Sequence, residues 1–424
     1  MARGPFAPVI AYVSDFWKVD PNCKLSYSAT LLNGLSQGIF LVVFNLYILA
    51  MGIPADVLGA ILAAGPLAQA IGSIPLGFLA EKIGFRKVFI FIYGGSGLAK
   101  LVQVAGSFVP LISGAAFLSG LALAGDFVVR LSFLAANSKP EERTKVYSAN
   151  NLIFSLSVSG GALIAGFLPN LFQLMGYDLI VSYRFTLFVA GMLSILAILP
   201  SSRIVDTPPV PGRRISLSPY LWGIDRFTVF QAITSLFVGL SIGMLNPFMN
   251  LYFVYHFGAT REFFSTVSAF AIVFTFTATS LGPLLAARLG TVPSVSYLRM
   301  VIPVFLLVFA FTSSQYFGAA AFWMQTALFQ MSQPLSFAFA MRAASNKAKS
   351  AASAWLNVTF WIGNAAAAPI VGSLIAGADY RTPVLMAAGS IILAGLLNHL
   401  FFGPIELSLN KMEAVNATSE AKAR

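Results

Sequence analysis

Twelve long apolar runs, each about the 20 residues that a helix needs to cross a bilayer, dominate this 424-residue chain. They fall at 25–51, 56–80, 88–106, 110–138, 147–173, 181–199, 224–254, 263–287, 294–314, 316–342, 351–376 and 383–402. In hydrocarbon no water satisfies a peptide group, so such a run must close its hydrogen bonds within itself, as a helix. The apolar character of each run is near-continuous rather than alternating, which argues against the strands of a membrane barrel. Composition agrees, with 58% of residues apolar and 10% charged. A soluble domain carries about 25% charged residues, so much of this surface has to face lipid. The expected fold class is an all-α membrane protein of twelve transmembrane helices.

The loops set the expected orientation. An even number of spans returns both termini to one side. Of the 26 lysines and arginines, 21 fall on that side, Arg299 counted among them; the opposite side has Arg184, Arg261 and Arg381, and Lys100 and Arg130 lie within runs. An excess of Lys and Arg marks the cytoplasmic face, so both termini are expected in the cytoplasm. The net charge of +11 is this bias and not a nucleic-acid footprint. Residues 1–24, which include Asp15, Lys18, Asp20 and Lys24, hold no long apolar core and read as a cytoplasmic arm without a cleavable signal. Within the arm, residues 8–19 suit either a short interfacial helix or a disordered segment. Residues 201–223, with Pro208, Pro209, Pro211 and Gly212, read as a cytoplasmic linker between bundles at 25–200 and 224–403. Residues 404–424 read as a polar, flexible cytoplasmic tail. Short loops favour a prokaryotic inner membrane. Cys23 alone excludes a disulfide framework, and His256 and His399 stand too far apart for a zinc centre, so neither metal nor cofactor is expected.

The chain repeats itself. GLSQGIFLVVFNLYI at 34–48 returns as GLSIGMLNPFMNLYF at 239–253. Gly34, Leu35, Ser36, Gly38, Asn45, Leu46 and Tyr47 recur without a gap as Gly239, Leu240, Ser241, Gly243, Asn250, Leu251 and Tyr252. Weaker echoes join Leu131-Ser132-Phe133 to Leu335-Ser336-Phe337. Two six-helix halves in the same orientation imply a pseudo-twofold axis along the membrane normal. In transporters built this way the substrate site lies near the midplane between the repeats.

The segment GFLAEKIGFRK at 77–87 resembles the motif A loop of the major facilitator superfamily, written G-x-L-a-D-r-x-G-r-k. Gly77, Leu79, Ala80, Lys82, Gly84, Arg86 and Lys87 fit it, and Glu81 stands where the family has Asp. KPEERTKVYS at 139–148 is similar to that family's loop after its fourth helix. The resemblance implies a 6+6 fold in which helices one, four, seven and ten line a cavity. It also implies that Glu81, at the cytoplasmic mouth, pairs with an arginine such as Arg143 or faces the start of the eleventh helix, and so latches the cytoplasmic gate. A plain topology-fixing basic turn is the other reading of these residues. The family's antiporter motif is absent from the fifth run, which has Ser159-Gly160-Gly161 instead.

Ionisable residues within spans point to function. Asp126 and Arg130 stand one turn apart and project from one helix face. Three roles suit them: a proton-coupling switch, with Asp126 taking a proton when the pair loosens; an anion contact through Arg130; or a static ion pair joining helices. Lys100 lies in the third run, where the resemblance implies a peripheral position, and either snorkelling or a structural contact suits it. Amides form a second group: Asn33 and Gln37 on one face of the first helix, Asn246 and Asn250 on one face of the seventh, Gln330 and Gln333 on one face of the tenth. They suit either a cavity for a polar solute or hydrogen bonds between helices.

Other functions find little support. The chain shows no nucleophile–histidine–acid set and no nucleotide loop, so no catalytic residues are expected. A channel filter is likewise not visible. The reading is a secondary transporter, acting as a monomer in the lipid bilayer, that moves a small organic solute by alternating access with protons as coupling ion. The alternatives are an uncoupled facilitator or lipid transporter, and a non-transporting receptor.

Overall fold

The computed structural model describes residues 19–139, 142–206, 224–344 and 349–423, the side chains at 74, 77, 78, 80, 81, 349, 350 and 413–423 excepted. Among the described residues twelve long helices follow one another: α1 Pro21–Ala50, α2 Ala55–Ile83, α3 Phe85–Ala105, α4 Val109–Ala136, α5 Arg143–Leu174, α6 Leu179–Leu196, α7 Arg226–Leu245, α8 Arg261–Leu289, α9 Thr291–Phe311, α10 Gln315–Ala343, α11 Lys349–Ala376 and α12 Arg381–Ala423. Eleven of the spans they form are long and apolar enough to cross a membrane. The exception is α10, whose apolar run is diluted by Gln325, Gln330 and Gln333. The arm up to residue 18 and the linker over 207–223 lie outside the described residues.

Helix starts follow local chemistry. Asp20 accepts from the Asn22 amide at 2.8 Å, with Pro21 in the first turn of α1. Asp178 accepts from Val181 at 2.7 Å before α6, and Asp225 from Thr228 at 2.8 Å before α7. Each short carboxylate satisfies an amide that has no partner within its own helix.

Two elements depart from the sequence reading. The run at 224–254 is not one α-helix. After Leu245 the chain tightens into a 3-10 turn at Asn246–Phe248 and then a π-helical turn at Tyr252–His256. Pro247 has no amide proton to continue the ladder. The last helix, in turn, does not stop at residue 403. It continues through Pro404 to Ala423, burying Phe402 and Glu406 on the way, so the start of the expected flexible tail is helical.

Packing repeats between the halves. In the first, α1 packs chiefly on α5 and α6, and α3 on α4 and α6; in the second, α7 packs on α11 and α12, and α9 on α10 and α12. The repeated GLSxG segment explains much of this. A Cβ added at Gly38 would overlap the Val158 carbonyl on α5, and one at Gly239 would overlap the Phe360 carbonyl on α11. Small residues thus let backbones touch, as membrane helices require. Ser36 donates to the Ala190 carbonyl on α6 at 2.6 Å, and Ser241 to the Ala387 carbonyl on α12 at 2.9 Å.

The chain divides into two compact units. The first takes Met1–Ile53, Ile71–Arg214 and Arg261–Ala269; the second takes Pro54–Ala70, Ile215–Thr260 and Phe270–Arg424. Cys23, Tyr27, Phe89, Val129 and Phe133 centre a core in the first unit, and Phe227, Val292, Phe339 and Phe402 one in the second. Large apolar side chains also point outward: Phe91 is 78% exposed, Phe276 61% and Leu118 58%. Such a surface is a liability in water and a requirement in lipid.

Candidate functional site

The first unit holds a buried polar network on five helices. Asp126 of α4 is 1% exposed and Arg130, one turn on, 6%. Their Nη1–Oδ2 distance is 3.3 Å. Buried charges are tolerated in such surroundings only when paired and hydrogen-bonded, and the carboxylate is held accordingly. Tyr93 of α3 donates its hydroxyl to Oδ1 at 2.8 Å, and Asn33 of α1 donates Nδ2 to Oδ2 at 3.2 Å. Ser194 of α6 donates to the side-chain Oδ1 of Asn33 at 3.3 Å.

On the cation's side, Arg130 Nη1 donates to Thr30 Oγ1 at 3.2 Å, and Thr30 donates to Asn150 Oδ1 of α5 at 3.1 Å. The guanidinium also lies 5.3 Å from the centre of the Phe154 ring, a favourable cation–π placement. One ion pair therefore ties α1, α3, α4, α5 and α6 together.

Lys100 belongs to the same interior. It is 2% exposed, donates to Ser36 Oγ at 2.7 Å, and stands over the Phe40 ring at 5.7 Å. The peripheral position and the snorkelling are wrong, because Gly97 one turn earlier lets α3 lie against the Gly191 carbonyl of α6; the expected structural contact is the one to Ser36. The signal was present in the sequence: an ionisable residue in a span.

The amide pairs do not behave as pairs. Asn33 joins the network while Gln37 stays half-buried outside it. Asn246 is exposed and Asn250 buried, its Oδ1 accepting from the Leu251 amide at 2.9 Å. The expected common face is lost because Pro247 breaks the helical register between them. Gln330 is exposed, whereas Nε2 of Gln333 is buried without a hydrogen-bond partner. Tyr93, Thr30, Asn150 and Ser194 escaped the sequence reading. Only Thr30, one turn before Asn33 on the same helix face, carried a local clue.

At the loop entering α3, Gly84 takes a φ of 91°, and Gly290 before α9 takes 90°, a conformation suited to glycine. Asp206, just past α6, accepts from the Arg86 amide at 2.9 Å. Glu406 of α12 accepts from the Thr291 and Val292 amides at 2.7 and 3.0 Å. A carboxylate thus meets the positive end of α3 and of α9, and neither acid was singled out beforehand. Lys82, Arg86, Lys87 and Arg143 are exposed. The side chain of Glu81, its expected pairing with Arg143, and the surroundings of Gly77 lie outside the described residues.

Twelve helices of this apolarity, with charge confined to loops and to a few buried clusters, define a multi-pass integral membrane protein. Comparison with known proteins narrows that class. A family model, Major Facilitator Superfamily, matches residues 27–226. An uncharacterized MFS-type transporter of Bacillus subtilis, YfkF, is 28% identical over 144 residues, which cover 34% of this chain and 34% of that protein. The match thus spans about a third of that relative's length. Among solved structures, the nucleoside transporter NupG superposes with a TM-score of 0.72 at 12% identity over 90% of this chain and 99% of that one. A D-xylose-proton symporter does so at 0.69 and 14% identity, over 89% and 96%. Residues 27–226, just under half of the chain, thus match the major facilitator superfamily, a family of transporters rather than of enzymes. The chain as a whole shares the fold of these solved transporters.

Proposed function

We propose that the chain is a secondary transporter that moves a small organic solute by alternating access, coupled to protons through Asp126. The observation that carries the reading is the buried Asp126–Arg130 pair at 3.3 Å. Arg130 supplies the charge opposite the buried carboxylate. Loosening the pair during the transport cycle removes the charge that stabilises it, and burial then favours uptake of a proton. The reverse motion expels the proton. That the solved structures of like fold include a proton symporter supports the chemistry. In this reading the bundles run over 25–200 and 224–403, both termini are cytoplasmic in a prokaryotic inner membrane, Glu81 belongs to the cytoplasmic gate, and the working unit is a monomer.

A second reading has one observation in its favour. Asp126 already accepts from Tyr93, Asn33 and Arg130, the full satisfaction expected of a static strut. The chain would then be an uncoupled facilitator. Proteoliposomes decide between them. Nucleosides and pentoses, the solutes suggested by the structures of like fold, are first screened for binding by thermal shift. Uptake of a binder is then measured with and without a pH gradient. Coupling predicts gradient-driven accumulation in the native protein and only equilibration in Asp126→Asn. Equal rates with and without the gradient, or accumulation retained in Asp126→Asn, would overturn it.

A further inference from the structure

The second unit contains a buried cation that no described carboxylate pairs. Arg299 was counted with the loop charges in the sequence. It lies inside α9, 3% exposed. Its Nε and Nη1 have no hydrogen-bond partner, and Nη2 reaches only Ser336 Oγ of α10, at 3.4 Å. That distance is beyond a good hydrogen bond. A guanidinium does not escape the cost of burial by losing its proton, so an unpaired one inside a membrane-spanning helix needs a counter-charge.

The described carboxylates of the second unit are engaged elsewhere. Asp56 accepts from the Val57 amide at the start of α2, Asp225 caps α7, Asp379 caps α12, and Glu406 holds the first amides of α9. The contrast with the first unit is direct. Arg130 there has its own carboxylate, a hydroxyl and an aromatic face.

α10 carries a further unpartnered donor. Gln333 stands one turn before Ser336 on α10, and its Nε2 is buried and unpartnered too. On the α12 side, a Cβ added to Gly395 would sit 3.2 Å from Arg299 Cβ, so that helix closes over the stem of the side chain. The unpartnered N–H donors, Arg299 Nε and Nη1 on α9 and Gln333 Nε2 on α10, favour negative charge and oxygen acceptors.

We propose that Arg299 anchors an oxyanion site within the second unit, taking a carboxylate or phosphate group, with Gln333 Nε2 and Ser336 Oγ completing its donor set. The group belongs either to a soluble organic acid or phosphate, or to a lipid headgroup. The site does not depend on proton coupling through Asp126.

The test uses full-length protein, purified and delipidated in neutral detergent. Melting is followed against sodium benzoate, sodium phosphate and dihexanoyl phosphatidylglycerol, with benzamide and sodium chloride at matched ionic strength as controls. A saturable rise in melting temperature is expected with at least one of the three oxyanions and with neither control. Arg299→Gln abolishes it. Gln333→Ala, which keeps the cation, weakens apparent affinity by about tenfold, the loss expected of a charge-assisted hydrogen bond. A response to benzoate or phosphate assigns the site to a soluble anion, and a response to phosphatidylglycerol alone assigns it to lipid. No response beyond the controls, or the same saturation in Arg299→Gln, overturns the proposal. Should Arg299→Gln fail to fold, unchanged affinity in both Gln333→Ala and Ser336→Ala overturns it instead. These are equilibrium measurements without vesicles or gradients, so a protein that transports but shows no oxyanion response refutes this site alone.

Discussion

Lys100 donates to Ser36 over 2.7 Å, and Ser36 donates its own hydroxyl to the Ala190 carbonyl over 2.6 Å. A hydroxyl of the repeated GLSxG segment therefore does two jobs in the first half, joining α1 to α6 and receiving an ammonium. Its counterpart Ser241 keeps only the first, bonding to the Ala387 carbonyl. Lys100 is what makes the two halves chemically unequal at this point.

Ser36→Ala should accordingly be worse than Ser241→Ala. Each loses a bond to a carbonyl, but Ser36→Ala also strands a buried ammonium. About 1–3 kcal/mol separates a lost neutral bond from a polar group left without its partner. Melting of the two variants in the same detergent measures the order, and Lys100→Met in the Ser36→Ala background should recover part of the loss. Equal melting temperatures for the two serine variants would contradict the assignment.

The pair at the centre of the network should behave as a coupled unit. Asp126→Ala leaves Arg130 buried and unpaired, a change that costs about 3–5 kcal/mol in other proteins. Removing both charges, in Asp126→Ala with Arg130→Met, should cost less than the two single changes added together. A double-mutant cycle on unfolding free energy reads that coupling directly, and additivity within experimental error would show that the two side chains do not support each other.

Backbone contact at the glycines can be checked against a neighbour with room to spare. Gly38→Ala should lower stability sharply, because the new methyl would collide with the Val158 carbonyl and push α1 from α5. Gly114→Ala, in the first turns of α4 where nothing lies within 4 Å of an added Cβ, should be neutral or slightly stabilising, in line with the roughly 1 kcal/mol helix preference of Ala over Gly. Yield and melting temperature of the folded protein distinguish the two.

One acid-dependent contribution follows from the cap of α12. Hydrogen bonds from Thr382, side chain first and then backbone, hold the Asp379 carboxyl below its ordinary value. A carboxylate with a depressed folded pKa adds stability above its unfolded value, near ~3.9, and loses it as pH falls through the folded one. Asp379→Ala should lose about 1 kcal/mol at neutral pH, and the difference from native protein should shrink below about pH 4. A melting difference that stays constant from pH 7 to pH 3 would rule the cap out as its source.

Much of this molecule is written locally. An apolar run of about 20 residues forms a helix in lipid whatever its neighbours do, because its amides have no other partner. The twelve runs, the repeat of Gly34–Tyr47 at Gly239–Tyr252, and Asp126 with Arg130 one turn apart were therefore legible from residue order alone. Pro247 could be read too, yet its consequence was overlooked: it separates Asn246 from Asn250 and removes their common face.

The tertiary structure decided which side chains meet. Tyr93 finds Asp126, Thr30 finds Arg130, and Glu406 finds the start of α9 across more than a hundred residues of chain. No periodicity encodes such encounters, since they depend on how each helix is rotated about its axis and how closely small residues let it approach. The same rotation buries Lys100, legible as a charge within a run, and Arg299, which as a letter looks like an ordinary loop cation. A buried charge is defined by what surrounds it, and that is a property of the packed helices rather than of the order in which they are joined.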